Sequence, residues 1–147
     1  MNQVVELDIP AQPEFVGIAR MAVSALAGIR PGLAYERVDD LRIVVSEACT
    51  GAIEAATGRA PGATAREGPR VVVRCLDGPE ALEVRIEGPA GAFDLGGEAA
   101  AGGPDEFRIS LIQALVDEAE VRPSPAGSEL RLVLRRESAG DDGDLPA

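Results

Sequence analysis

The chain has 147 residues and a formal net charge of −11. That is the size of one domain with its own core, and it is too acidic to neutralise the phosphates of a nucleic acid or an anionic membrane. It contains no His and no Trp, and all 14 basic residues are Arg. This excludes His relays, His-containing zinc sites, a P-loop lysine and a Schiff base. Any chemistry must rest on carboxylates, Arg, hydroxyls, one Tyr and two Cys.

Met1–Pro10 contains Val4-Val5-Glu6-Leu7-Asp8-Ile9, which reads as a half-buried strand. Pro13-Glu14 opens an amphipathic helix, because Pro suits the first turn and an acid suits the positive helix end. Its expected apolar stripe is Phe15, Ile18, Ala19, Ala22, Leu26 and Ile29, and Arg30-Pro31-Gly32 stops it. A second helix is predicted over 35–57, with Tyr35 anchoring its start. Its expected stripe is Val38, Leu41, Val45, Ala48, Ala52 and Ala55.

After a Gly/Pro/Ala-rich loop over 58–69, two strands at 70–76 and 81–87 flank Asp77-Gly78-Pro79-Glu80 and should pair as an antiparallel hairpin. Residues 88–103 are again rich in Gly, Ala and Pro. A third helix over 104–118 should turn Phe107, Leu111, Ala114 and Leu115 inward. Two short strands follow at 120–122 and 129–134. The order β-α-α-β-β-α-β-β predicts an α+β fold, a two-layer sandwich with helices on one face of a mostly antiparallel sheet of four or five strands. The domain is expected over 1–136, with an acidic, disordered tail over 137–147.

Cys49 and Cys75 are too few for a disulfide framework and are expected as free, buried thiols in a reducing cytoplasm. There is no signal-peptide pattern and no apolar run of about 20 residues.

On the second helix stands Val45-Ser46-Glu47-Ala48-Cys49-Thr50-Gly51-Ala52. This segment resembles the S-E-A-x-T-N-A motif of RsbW-type anti-sigma factor serine kinases, which belong to the GHKL superfamily with the histidine-kinase-like ATPase (Bergerat) fold. Ile9-Pro10-Ala11 with Pro13-Glu14-Phe15 resembles the family's first strand and helix start. Asp39–Val45 resembles the run into the motif, Leu111–Glu118 the last helix, and Gly127–Leu132 the closing strand. The resemblance spans about residues 4–135 and agrees with the element order read from periodicity.

The resemblance implies a Mg-ATP site built from three motifs, and the chain departs from each. Glu47 stands at the general-base position, but the magnesium-ligating Asn is Gly51. Glu47, Gly51 and Glu54 share one helix face, which the resemblance turns toward the ligand cleft. The family's adenine-binding Asp falls at Gly88 and the next glycine at Ala90, while Gly91 remains as a turn glycine. The glycines of the phosphate lid fall at Asp105, Glu106 and Arg108. Gly102-Gly103 lie nearby, but Pro104 removes an N–H donor and the two acids oppose a triphosphate. The expectation is a degenerate member without a cofactor, with Glu47 vestigial.

The resemblance further implies a homodimer that sequesters a sigma factor of RNA polymerase and is released by a STAS-type anti-anti-sigma protein. Direct binding to nucleic acid or membrane is not expected. Ala19-Arg20 matches an A-R step whose Arg contributes to partner contacts in the family. Three blander readings stand beside these: Glu47 as a solvated carboxylate, Arg20 as an exposed helix arginine, and Gly102-Gly103 as linker. Two other functions also remain open. One is an active serine kinase in which Glu54 or Asp94 rebuilds the metal site. The other is a metabolite-binding regulatory module.

Overall fold

The computed structural model describes residues 1–59, 68–93 and 104–138. The side chains of Arg59 and of residues 104–106 lie outside that description, as do the predicted loop over 60–67, Asp94, Gly102-Gly103 and the tail beyond Ser138. Strand β1 (Asn2–Pro10) leads through a short 3-10 turn (Pro13–Phe15) into α1 (Val16–Ala27) and α2 (Tyr35–Arg59). Strands β2 (Arg70–Asp77) and β3 (Ala81–Gly88) precede α3 (Pro104–Leu115), and β4 (Glu118–Ser124) and β5 (Gly127–Arg135) close the chain. The five strands form one sheet in the order β1-β2-β3-β5-β4, and each neighbouring pair is antiparallel. The fold is α+β.

The core lies between this sheet and the helices. Val71, Val73 and Cys75 of β2, Val84 and Ile86 of β3, and Leu130, Leu132 and Leu134 of β5 are fully buried. Their alternation is what a sheet covered on one face requires. Against them α2 buries Leu41, Val44, Val45, Ala48, Cys49, Ala52, Ile53 and Ala56. Its many small side chains let the helix approach the strands closely.

The phase of two helices differs from the sequence expectation. In α1 the buried residues are Ala19, Val23, Leu26 and Ala27, while Ile18 and Ile29 are exposed. Packing against α2 selects the narrower, smaller face. In α3, Phe107 is 71% exposed and Ala114 also faces solvent. The inward stripe instead runs Arg108, Ile112, Leu115 and, just past the helix, Val116. The spacing is helical, but a charged residue heads the stripe. The third helix is also shorter than expected: β4 begins at Glu118 and includes Pro123.

Among the described residues, no helix covers the outer face of the sheet. Glu6, Arg74, Arg85, Arg131 and Glu120 stand in register, one on each strand. Three neighbouring arginines would repel one another, so the rows beside them supply acids. Glu83, only 3% exposed, accepts from Arg85 Nε at 2.6 Å and Arg131 Nε at 2.5 Å. Glu87 accepts from Arg74 Nη1 at 2.6 Å. A guanidinium can pair with two carboxylates at once, which an ammonium does less well.

A second arginine knot ties the end of α1 to the end of β5. The buried Arg136 donates to Asp77 Oδ1 at 2.8 Å and to the carbonyls of Ala27 and Arg30, and Arg30 donates to Asp77 Oδ2 at 2.7 Å. Gly32 has φ +107°, and a Cβ there would lie 2.7 Å from the Glu137 carbonyl. Only glycine lets the loop close over the knot. Glu137 N in turn donates to Gly32 O at 2.8 Å.

Burial alone would raise the Asp77 carboxyl, but the hydrogen bonds and charges of Arg136 and Arg30 outweigh it and hold it below the ordinary carboxylate value. Its stabilising contribution is therefore present above the unfolded value near 3.8 and is lost as pH falls toward the lower folded value. Urea unfolding of Asp77→Asn is expected to show lower stability at neutral pH and a shallower loss below about pH 4 than the wild type. On the open face, Glu83→Ala removes the buried carboxylate that Arg85 and Arg131 share and is expected to cost about 2–4 kcal/mol in the same assay.

Candidate functional site

The residues of the expected ligand cleft meet where α3 packs on α2. Glu47, Gly51 and Glu54 follow at intervals of four and three along α2, so they face one way. Gly51 is buried, whereas Glu47 and Glu54 reach outward. Arg108 of α3 lies over them. Its Nε donates to Glu47 Oε2 at 3.2 Å and its Nη1 donates to Glu54 Oε2 at 3.1 Å. The Arg108 side chain is only 18% exposed. Burial works against its charge, but hydrogen bonds and attraction from Glu54 and Glu47 prevail, and its pKa is raised.

The guanidinium takes the room a larger residue at position 51 would need. A Cβ on Gly51 would stand 3.2 Å from Arg108 Nη1 and 3.7 Å from the Ala92 carbonyl. The position of the expected magnesium-ligating side chain is thus covered by an internal cation. Among the described residues, no three His, Cys, Asp or Glu side chains are grouped so as to hold a metal.

The expected adenine end of the cleft is also closely packed. Gly88 ends β3 and is buried, and a Cβ there would meet the Ala52 Cβ at 3.1 Å and the Ala92 Cβ at 3.2 Å. A carboxylate has no space there without displacing α2. Ala90 and Gly91 stand in the turn after β3, where Ala92 N donates to Pro89 O at 3.0 Å and Gly91 has φ +83°. Ser128 Oγ donates to the same Pro89 carbonyl at 2.9 Å. Gly127 has φ +135°, and a Cβ there would fall 2.2 Å from Ala90 N, so glycine is required for β5 to pass this turn. Asp105 and Glu106 occupy the first turn of α3.

Arg20 lies apart from this cleft, on α1. Its Nη1 donates to Ser46 Oγ of α2 at 3.3 Å, and Ser46 Oγ donates to the Arg42 carbonyl at 2.7 Å. Arg20, Asp39, Arg42, Ile43, Ser46 and Glu47 line an open groove of about 510 Å³ between α1 and α2. Ile43 is exposed in this groove wall, and Ile18 and Met21 of α1 are exposed as well. Glu47 belongs to both places: it lines the groove and pairs with Arg108.

Two features of the site have no signature in the sequence. The resemblance places Arg108 only at a lid-glycine position, whereas in the structure it is the partner of Glu47 and Glu54. Arg37 of α2 went unnoticed, yet it donates to the Leu115 carbonyl at 3.1 Å and to Asp117 Oδ2 at 2.7 Å, capping the end of α3. Only the acid–acid spacing on α2 hinted that a cation must lie above it.

Both cysteines are buried and chemically quiet. Burial, with a smaller contribution from Cys75, pushes the Cys49 thiol up to about 12, and burial pushes Cys75 up to about 11. Among the described residues, no helix is long and apolar enough to cross a membrane.

Residues 9–134 match the family described as the histidine kinase-like ATPase domain. The chain is 38% identical to a serine-protein kinase RsbW of Bacillus pumilus, over 83% of this chain and 82% of that protein. It is 35% identical to a serine-protein kinase RsbW of Listeria monocytogenes, over 65% and 56% respectively. A serine-protein kinase RsbW of Bacillus subtilis is 50% identical over a shorter stretch, 34% of this chain and 31% of that protein.

Restoring the acid that the family resemblance implies at position 88 is expected to be destabilising. Gly88→Asp should lower the unfolding free energy by about 3 kcal/mol or more, as an unpaired charge in a packed site. Gly88→Ala should cost about 1 kcal/mol. Denaturant unfolding of both variants checks the order.

Proposed function

We propose, because the chain belongs to the RsbW-type branch of the histidine kinase-like ATPase family, that it acts as an anti-sigma factor working without nucleotide in the cytoplasm. The carrying observation is Arg108, whose guanidinium spans Glu47 and Glu54 above Gly51. A magnesium ion would need an oxygen ligand where Gly51 offers none. It would also have to approach a cation already bound to both carboxylates. Adenine would need an acceptor at Gly88, where close packing against Ala52 and Ala92 supports no larger side chain. These residues do not fit Mg-ATP, so no phosphoryl-transfer step is assigned to them.

Protein binding needs none of those groups. The groove between α1 and α2 offers Arg20 and Arg42 beside exposed Ile43, a mixture of charge and apolar surface suited to a protein partner. Arg20 is held by Ser46 in one direction, which lowers the cost of ordering it on binding. The partner in this reading is a sigma factor of RNA polymerase. A STAS-domain anti-anti-sigma protein competes for the same surface, and the working unit is a homodimer. The net charge of −11 favours association with the basic regions of a sigma factor.

Two measurements test the proposal. Calorimetry with Mg-ATP should give no binding at micromolar nucleotide, whereas the cognate sigma factor should bind stoichiometrically. Arg20→Glu should weaken sigma binding about tenfold or more. Micromolar Mg-ATP binding, or transfer of labelled phosphate to a STAS protein, would establish the contrary reading of an active serine kinase.

A further inference from the structure

Two arginines join α3 to α2, one toward each end. At the far end Arg37 of α2 donates to the Leu115 carbonyl and to Asp117. At the near end Arg108 of α3 donates to Glu47 and Glu54 of α2. Between them α3 and the residue after it contribute Ile112, Leu115 and Val116, of which Ile112 and Val116 are buried. The two polar bridges hold this apolar contact at either end. The near bridge also reaches the groove, because Glu47 lines the groove that holds Arg20.

We propose that Arg108 is a positioning residue, a resident counter-cation that takes the place of a ligand between α2 and α3 and fixes Glu47 in the wall of the α1/α2 groove. This rests on the reading of that groove as the partner surface. The bridge needs an arginine. Nε and Nη1 point to different carboxylates two turns apart on α2, and a planar fork serves both without rearrangement. It also needs Gly51, since a Cβ at that position would press on Nη1 at 3.2 Å. The glycine thus has a steric purpose, even though glycine inside a helix costs about 1 kcal/mol relative to Ala. The consequence is regulatory: the groove is set permanently, and its state is not under nucleotide control.

Hydrogen exchange on the free, full-length protein tests this without any partner. Arg108→Gln is expected to speed amide exchange in α3 roughly threefold to tenfold while leaving β2, β3 and β5 unchanged. Glu54→Gln, which removes only the negative charge of the more exposed partner, should give a smaller change in the same segment. Arg108→Lys should restore protection in part, since an ammonium serves one carboxylate well and the other poorly. Mg-ATP should not alter the wild-type pattern. Wild-type exchange rates in α3 of Arg108→Gln, or full protection in Arg108→Lys, would overturn the proposal. Failure of sigma binding would instead defeat the anti-sigma reading and leave the exchange result standing.

Discussion

A guanidinium suspended between two carboxylates of one helix determines what the cleft of this protein can contain. Glu47 and Glu54 are seven residues apart, two turns of α2, and would repel one another mildly if left alone. Arg108 bridges both, offsets one of their two charges and is itself drawn largely out of solvent. Once that cation is in place, the floor beneath it must be small, and Gly51 supplies it. The same contact sets the rotation of α3. With Arg108 turned toward α2, Ile112, Leu115 and Val116 follow it inward at helical spacing, and Phe107 is left facing solvent.

The wider molecule uses the same chemistry. Arg136 and Arg30 converge on Asp77, and Arg85 and Arg131 converge on Glu83. In each case two guanidiniums share one carboxylate with little exposure to solvent. At Arg108 the ratio is reversed among the described residues, with two carboxylates on one cation. An acidic chain whose only basic residue type is Arg can be cross-linked in this way because the fork donates in several directions at once. The absence of Lys therefore matters to packing more than to catalysis.

Much of the fold was legible from periodicity. The alternation of β2 and β5 and the helical spacing of α2 identify these elements, although α2 buries a wider face than the expected stripe, with Val44, Cys49, Ile53 and Ala56 inside and Ala55 only half-buried. The phase of α1 is not legible in this way, because Ile18 and Ile29 on one side compete with Val23 and Ala27 on the other. Only α2, as a neighbour, decides between them. The phase of α3 departs from the sequence pattern for a related reason: an aromatic residue is an inward candidate on hydrophobicity alone, and the charge that wins the inward position finds its partners 54 and 61 residues earlier. The α2 face with Glu47, Gly51 and Glu54 was legible as a spacing. Its occupant was not, since nothing local to Arg108 points to Glu47 or Glu54. The closeness of Gly88 to Ala52 and Ala92 likewise depends on how near α2 lies to β3, a distance that no local pattern encodes.

Nitrogen-15 NMR of the Arg108 Nε–H group tests the central claim most directly. A guanidinium held by Glu47 and Glu54 should give a resolved Nε–H resonance that persists at neutral pH, depends on both carboxylates and does not move when millimolar Mg-ATP is added. A resonance averaged by solvent exchange, or one that shifts on titration with Mg-ATP, would contradict the account and return the cleft to the nucleotide.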